Sequence, residues 1–104
     1  MSQTTQIVFT CQAGKGADLL AFMGSDHGLV ATRAFEGCES VEVYTDADNP
    51  DTIVLWEKWD TRANHEAYLG WRLGWRGEET GMSDMLGSII SDRQITYLDN
   101  HPGV

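Results

Sequence analysis

The sequence predicts one α+β domain with the order strand, helix, strand, strand, helix, strand, and three observations predict it. Apolar and polar residues alternate with period two in short β-forming stretches. Between and after those stretches apolar residues recur at helical spacing. Gly-, Asp- and Asn-rich turns separate the segments. At 104 residues and 41% apolar content, with four Trp, three Tyr and three Phe, the chain has the size and the material for one core spanning 1–104.

The first strand is read at Gln6–Gln12, Q-I-V-F-T-C-Q, with Ile7, Phe9 and Cys11 on one face. Ala13-Gly14-Lys15-Gly16 turns the chain. A first helix follows from Ala17 to about Glu36-Gly37, marked by Leu19, Leu20, Met23, Val30 and Ala34; Gly24 and Gly28 are the places where it would break. The second strand is C-E-S-V-E-V-Y-T at 38–45, with Val41 and Val43 on one face. A turn dense in Asp and Asn, with Pro50, then leads to a third strand, T-I-V-L-W-E-K-W at 52–59, completing a hairpin.

Asp60 or Thr61 caps a second helix, in which Ala63, Ala67, Trp71 and Trp75 repeat every four residues beside Tyr68 and are expected to cover the sheet. Leu69 and Leu73 lie on the opposite side of that helix. Met82, Met85, Leu86, Ile89 and Ile90 follow the pattern of a short extra helix that would cover them or meet a partner chain. Gln94–Leu98, Q-I-T-Y-L, is the last strand.

With right-handed crossovers this βαββαβ order gives the ferredoxin-like arrangement, an antiparallel sheet with helices on one face. The other face then needs a cover, and the economical one is a second copy packed sheet to sheet about a two-fold axis. The first and second strands are not neighbours in that order, so Cys11 and Cys38 are expected to be unbridged, reduced and buried.

The formal charge of −9, from 7 Lys and Arg against 16 Asp and Glu, disfavours nucleic acid and anionic membrane surfaces as partners. No apolar run approaches the ~20 residues of a membrane span, and a cytoplasmic location is expected. The three histidines, His27, His65 and His101, show no metal-ligand spacing, and no nucleotide-binding or serine-hydrolase motif occurs.

Three runs carry a resemblance: G-K-G-A-D-L-L at 14–20, T-R-A-F-E-G-C-E-S-V-E-V-Y at 32–44, and D-N-P-D-T-I-V-L-W-E-K-W-D-T-R-A-N-H-E-A-Y-L at 48–69, which contains a Glu-basic-Trp signature. They resemble the antibiotic biosynthesis monooxygenase family, a group of dimeric α/β barrels. The resemblance implies a homodimer. It also implies oxygenation of a small aromatic substrate, a quinol or polyketide-like anthrone, by dioxygen without metal or flavin, the substrate anion itself reducing the oxygen. The family also contains haem-degrading members and members with no known reaction. A haem-binding relative and a non-catalytic small-ligand dimer are therefore alternatives. Many members carry a histidine where Tyr68 stands; here His65 lies one turn earlier.

A pocket in such a fold lies between sheet and helices. Helical steps put Arg72 between Tyr68 and His65 on the flank of the apolar stripe, where Tyr68 would orient a phenol, Arg72 stabilise an oxyanion and His65 move a proton. The competing reading makes Tyr68 a boundary core residue and leaves His65 and Arg72 solvated. In an unbroken first helix His27 is in phase with Met23, Val30 and Ala34 and is the better base; in a Gly24–Gly28 loop it sits in water. Trp56 and Trp59 point to opposite sheet faces, so one of them, with Trp71, is a candidate to stack on a planar substrate, and plain packing is the alternative. Glu57 shares the Trp59 face and is expected to pair with a basic group.

Overall fold

The computed structural model describes residues 2–73 and 88–104. Its elements are β1 (Gln3–Cys11), α1 (Gly16–Met23), α2 (Leu29–Ala34), β2 (Cys38–Asp46), β3 (Asn49–Trp59), α3 (Arg62–Leu73) and β4 (Ile90–Leu98). The strands form one sheet in the order β2-β3-β1-β4, with every neighbouring pair antiparallel. This is the ferredoxin-like α+β fold. β3 separates β1 from β2, and Cys11 and Cys38 are both free thiols, Cys11 buried and Cys38 half-buried.

Period two decides what each sheet face carries. Thr5, Ile7, Phe9 and Cys11 of β1 and Ile53, Leu55, Glu57 and Trp59 of β3 are buried under the helices, together with Val41 of β2 and Ile90 of β4. The intervening Val8, Val54 and Trp56 occupy the other face and are only half-buried, and Tyr44 on that face is largely exposed.

The expected first helix is two helices. After Met23 the chain turns through Gly24–Gly28, held by the Ser25 hydroxyl donating to the Phe22 carbonyl at 2.6 Å. A Cβ on Gly28 would collide with the carbonyl oxygens of Phe22 and Met23, so the chain folds back on α1 too closely for any side chain there. The restart puts α2 on a new phase. Leu29 and Thr32 are buried, whereas Val30 is 58% exposed and Ala34 and His27 face solvent.

α3 is capped by Thr61, whose Oγ1 accepts the Asn64 N–H at 3.1 Å. Its sheet-facing side differs from the alanine stripe read in the sequence. Ala63 and Ala67 are exposed and Trp71 is half-buried, while His65, Tyr68 and Arg72 are buried. Alanine has little area to bury. Long amphipathic side chains gain more from burial if their polar tips find partners; here the sheet supplies them to His65, and the α1–α2 break and α2 supply them to Tyr68 and Arg72.

The predicted last strand begins earlier, and Ile90 pairs with Cys11 in β4 instead of closing a helix. Trp75 and the Met82, Met85 and Leu86 positions lie outside the described residues.

Candidate functional site

Two polar groupings meet the sheet side of α3. The first surrounds Arg72. Its Nε donates to the Tyr68 hydroxyl at 2.9 Å, and one terminal nitrogen donates to the His27 carbonyl at 2.7 Å. The other donates to the Gly28 carbonyl at 3.0 Å and to Thr32 Oγ1 at 2.9 Å. The guanidinium therefore fastens α3 to the α1–α2 break, and His27 contributes a backbone carbonyl while its side chain is in solvent. The loop at Gly24–Gly28 leaves the His27 imidazole exposed and outside the cavity lining.

The Tyr68 and Thr32 hydroxyls lie 2.7 Å apart, one donating to the other. Each also accepts from Arg72, so of their two hydroxyl hydrogens one lies between them. The second has no acceptor among the described residues. Burial raises the Tyr68 phenol above its ordinary value of 10.0.

Both hydroxyls border a cavity of about 30 Å³ between the sheet and α1–α2, room for about one water molecule. Its walls are apolar, with Phe9, Leu19, Phe22, Met23, Leu29 and Ile95 prominent, and its polar groups are Thr32, Tyr68, Arg72 and Arg93. Arg93 stands on β4 on the helix-facing side, half-buried, and makes no side-chain hydrogen bond or ion pair among the described residues. Sequence reading missed it because the last strand was started at Gln94, four residues after its first residue Ile90. Extending the alternation of Ile95 and Tyr97 back by two places puts Arg93 on the cavity side.

The second grouping is sealed. His65 and Glu57 are 0% and 1% exposed, with His65 Nε2 3.7 Å from Glu57 Oε1. The Trp59 indole donates to the same Oε1 at 2.8 Å, and His65 Nδ1 is hydrogen-bonded to the Tyr97 hydroxyl at 2.7 Å. Burial pushes His65 down to about 4, helped by the charge of Arg93, and pushes Glu57 up against the opposing effects of the Trp59 hydrogen bond and Arg72. Trp59 packs against His65, Tyr68 and Phe35 with ring centroids 5.3, 5.3 and 6.2 Å away.

The structure thus brings Tyr68 and Arg72 to the cavity wall, while His65, packed against Tyr68 and Trp59, is not among the lining residues. Trp71 stacks on Phe35 at 5.6 Å and Trp56 lies across the sheet, so neither these two nor Trp59 lines the cavity. Among the described lining residues there is no carboxylate and no imidazole. The wall offers a hydroxyl donor and two guanidinium groups, chemistry suited to holding an oxygen anion in apolar surroundings. Among the described residues no group of His, Cys, Asp and Glu is arranged to hold a metal, and no helix is long and apolar enough to cross a membrane.

Solved structures share this architecture. An antibiotic biosynthesis monooxygenase structure superposes with a TM-score of 0.75 at 15% identity, covering 96% of this chain and 99% of that one. The protein Rv0793 of Mycobacterium tuberculosis gives 0.72 at 20% identity, covering 97% and 96%. PA3566 of Pseudomonas aeruginosa gives 0.71 at 19%, covering 96% and 94%. At such identities these likenesses establish the fold alone. No curated protein sequence matches. The family model described as antibiotic biosynthesis monooxygenase matches residues 4–71, from β1 through the aromatic layer to Trp71, and the chain belongs to that family.

Proposed function

We propose that the protein is a cofactor-independent monooxygenase for a small, acidic aromatic substrate of the quinol or anthrone type, acting as a homodimer. The observation that carries this reading is the apolar cavity with Arg93 at its wall and the Tyr68–Thr32 hydroxyl pair beside it. An anthrone methylene or a phenol is a weak acid. In an apolar site its anion is favoured by neighbouring guanidinium charge and a hydroxyl donor, so solvent can take the proton without a buried general base. The anion then supplies the electrons to dioxygen. For an anthrone, the methylene becomes a carbonyl, one oxygen atom remains and the other leaves as water.

The cavity at its present size admits a diatomic gas but no ring system. An aromatic substrate requires Phe22, Met23 and Leu29, which flank the α1–α2 break, to move aside. Dimerisation is supported by the apolar side chains Val8, Val54, Trp56 and the largely exposed Tyr44 that the sheet face away from the helices presents among the polar Gln6, Glu42, Gln94 and Thr96. Sedimentation should give twice the 11.6 kDa chain mass, and a monomer at micromolar concentration would contradict it.

Oxygen uptake on a panel of anthrones and quinols, in buffer treated with chelator, tests the activity. Uptake above the enzyme-free rate is expected, with Arg93→Gln raising KM at least about tenfold through loss of a charge-assisted contact. No uptake on any member of the panel would sink the reading. The lack of a carboxylate or imidazole among the described lining residues favours one other reading, a non-catalytic binder of aromatic anions. That reading predicts Arg93-dependent binding with no oxygen consumed.

A further inference from the structure

Among the described residues, two buried side-chain atoms have no hydrogen-bond partner: His65 Nε2 and Thr5 Oγ1. Both belong to one place. Thr5 on β1 stands directly across from Glu57 on β3 and from Tyr97 on β4, and His65 descends from α3 onto this row. An orphaned polar atom in a sealed interior costs about 1–3 kcal/mol. His65 Nε2 faces the Glu57 carboxyl at 3.7 Å, a few tenths of an ångström beyond hydrogen-bond length, and Thr5 is the cross-strand neighbour of Glu57, so a small closure lets the carboxyl serve both.

We propose that Glu57 and His65 hold a single proton between them at neutral pH, resident on the Glu57 carboxyl, which donates to His65 Nε2 while its other oxygen accepts from the Thr5 hydroxyl. His65 is then the tautomer protonated on Nδ1, donating to Tyr97. An ionised carboxylate beside a neutral imidazole would instead leave net charge at a site 0–1% exposed, which is costly. The groups facing the pair act in both directions: Arg93 on β4 favours the neutral imidazole, whereas Arg72 on α3 and the Trp59 indole favour the Glu57 carboxylate against its burial. Tyr68, Tyr97 and Cys38 face Glu57 as neutral acids, each raised chiefly by burial. The shared proton fastens the first turn of α3 to the sheet, and α3 carries Tyr68 and Arg72 into the cavity wall. Glu57 and His65 are thus positioning residues, and their pairing stands whether or not the oxygenase reading does.

The sign of the pH dependence follows from counting protons. Unfolded, the two groups release protons near their ordinary values of 4.5 and 6.5. Folded, the pair keeps one proton, taking a second only as His65 is protonated at about 4. Between 4.5 and 6.5 both states hold one, so the pair's contribution is level. Above 6.5 the unfolded chain holds none, so stability falls with rising pH, about tenfold in the folding constant per pH unit, until Glu57 ionises in place. Below 4.5 the unfolded chain holds two, so stability falls as pH falls.

Glu57→Gln keeps an N–H donor for Nε2 and removes the titration. The ratio of wild-type to Glu57→Gln folding constants, in which all other groups cancel, is expected to fall about tenfold per pH unit from pH 5 to 7. A ratio that is flat or rises with pH overturns the proposal. Long-range ¹H–¹⁵N spectra of wild-type imidazoles give a second reading that needs no variant. Nδ1 of His65 protonated and Nε2 bare at pH 7 supports the pair, while an Nε2-protonated ring or an imidazolium rejects it.

Discussion

Arg72 and His65 stand two turns apart on the buried side of α3, and each brings an ionisable group into the interior, yet their surroundings differ. Among the described residues two hydroxyls and two backbone carbonyls accept from Arg72, neutral dipoles converging on a charge. Around His65 there is a carboxyl group 3.7 Å away, one phenol and an acceptor nitrogen without a donor. A guanidinium keeps its proton, so its burial has to be satisfied by hydrogen bonds it donates to fixed acceptors. Imidazole and carboxyl groups can exchange charge for neutrality, so their burial is solved by protonation state. The first arrangement borders the cavity and keeps its charge, which also favours the Glu57 carboxylate. The second responds to pH and lies outside the cavity lining.

The difference breaks most visibly at Arg72. Arg72→Met keeps the apolar stem and strands the Tyr68 and Thr32 hydroxyls and the His27 and Gly28 carbonyls. A loss of about 3 kcal/mol or more in urea unfolding is expected. Because the Arg72 charge favours the Glu57 carboxylate, the loss should grow as pH rises through the ionisation of Glu57, and a loss that shrinks with rising pH would contradict that coupling. The Glu57→Gln comparison probes the other side, where the expected effect is smaller at any one pH and changes with it.

Much of the fold was legible because strands with one buried face write period two into the sequence. Ile7, Phe9 and Cys11, and Val41 on its strand, are buried as that period requires. The helices were less legible for a definite reason. Apolar periodicity at Val30 and Ala34 continued across Gly24–Gly28 by coincidence, and only the backbone crowding at Gly28 shows why the chain restarts there. On α3 the apolar pattern favoured alanines over His65, Tyr68 and Arg72, because partners that satisfy buried polar tips come from distant segments, the strands for His65 and the α1–α2 break and α2 for Tyr68 and Arg72, and leave no local mark. Of the site, Tyr68 and Arg72 were found by helical geometry, while Arg93 was lost to a misplaced strand start. Glu57 was placed on the correct face beside Trp59; its counterpart His65 was recognised as titratable but read as bordering a pocket mouth.

The smallest effect separates a side chain from its backbone at His27. The residue looked like a base in the sequence, and Arg72 does reach it, but the contact is to the carbonyl oxygen and the imidazole is in solvent. His27→Ala leaves that carbonyl, the Gly28 turn and the cavity wall in place. A melting temperature within about 3 °C of the parent and unaltered ligand binding are therefore expected. A large loss of binding with stability unchanged would place the imidazole at the cavity when ligand is bound. In that case the α1–α2 break, and not the wall formed by Arg72 and Arg93, would be the part of the site that supplies a base.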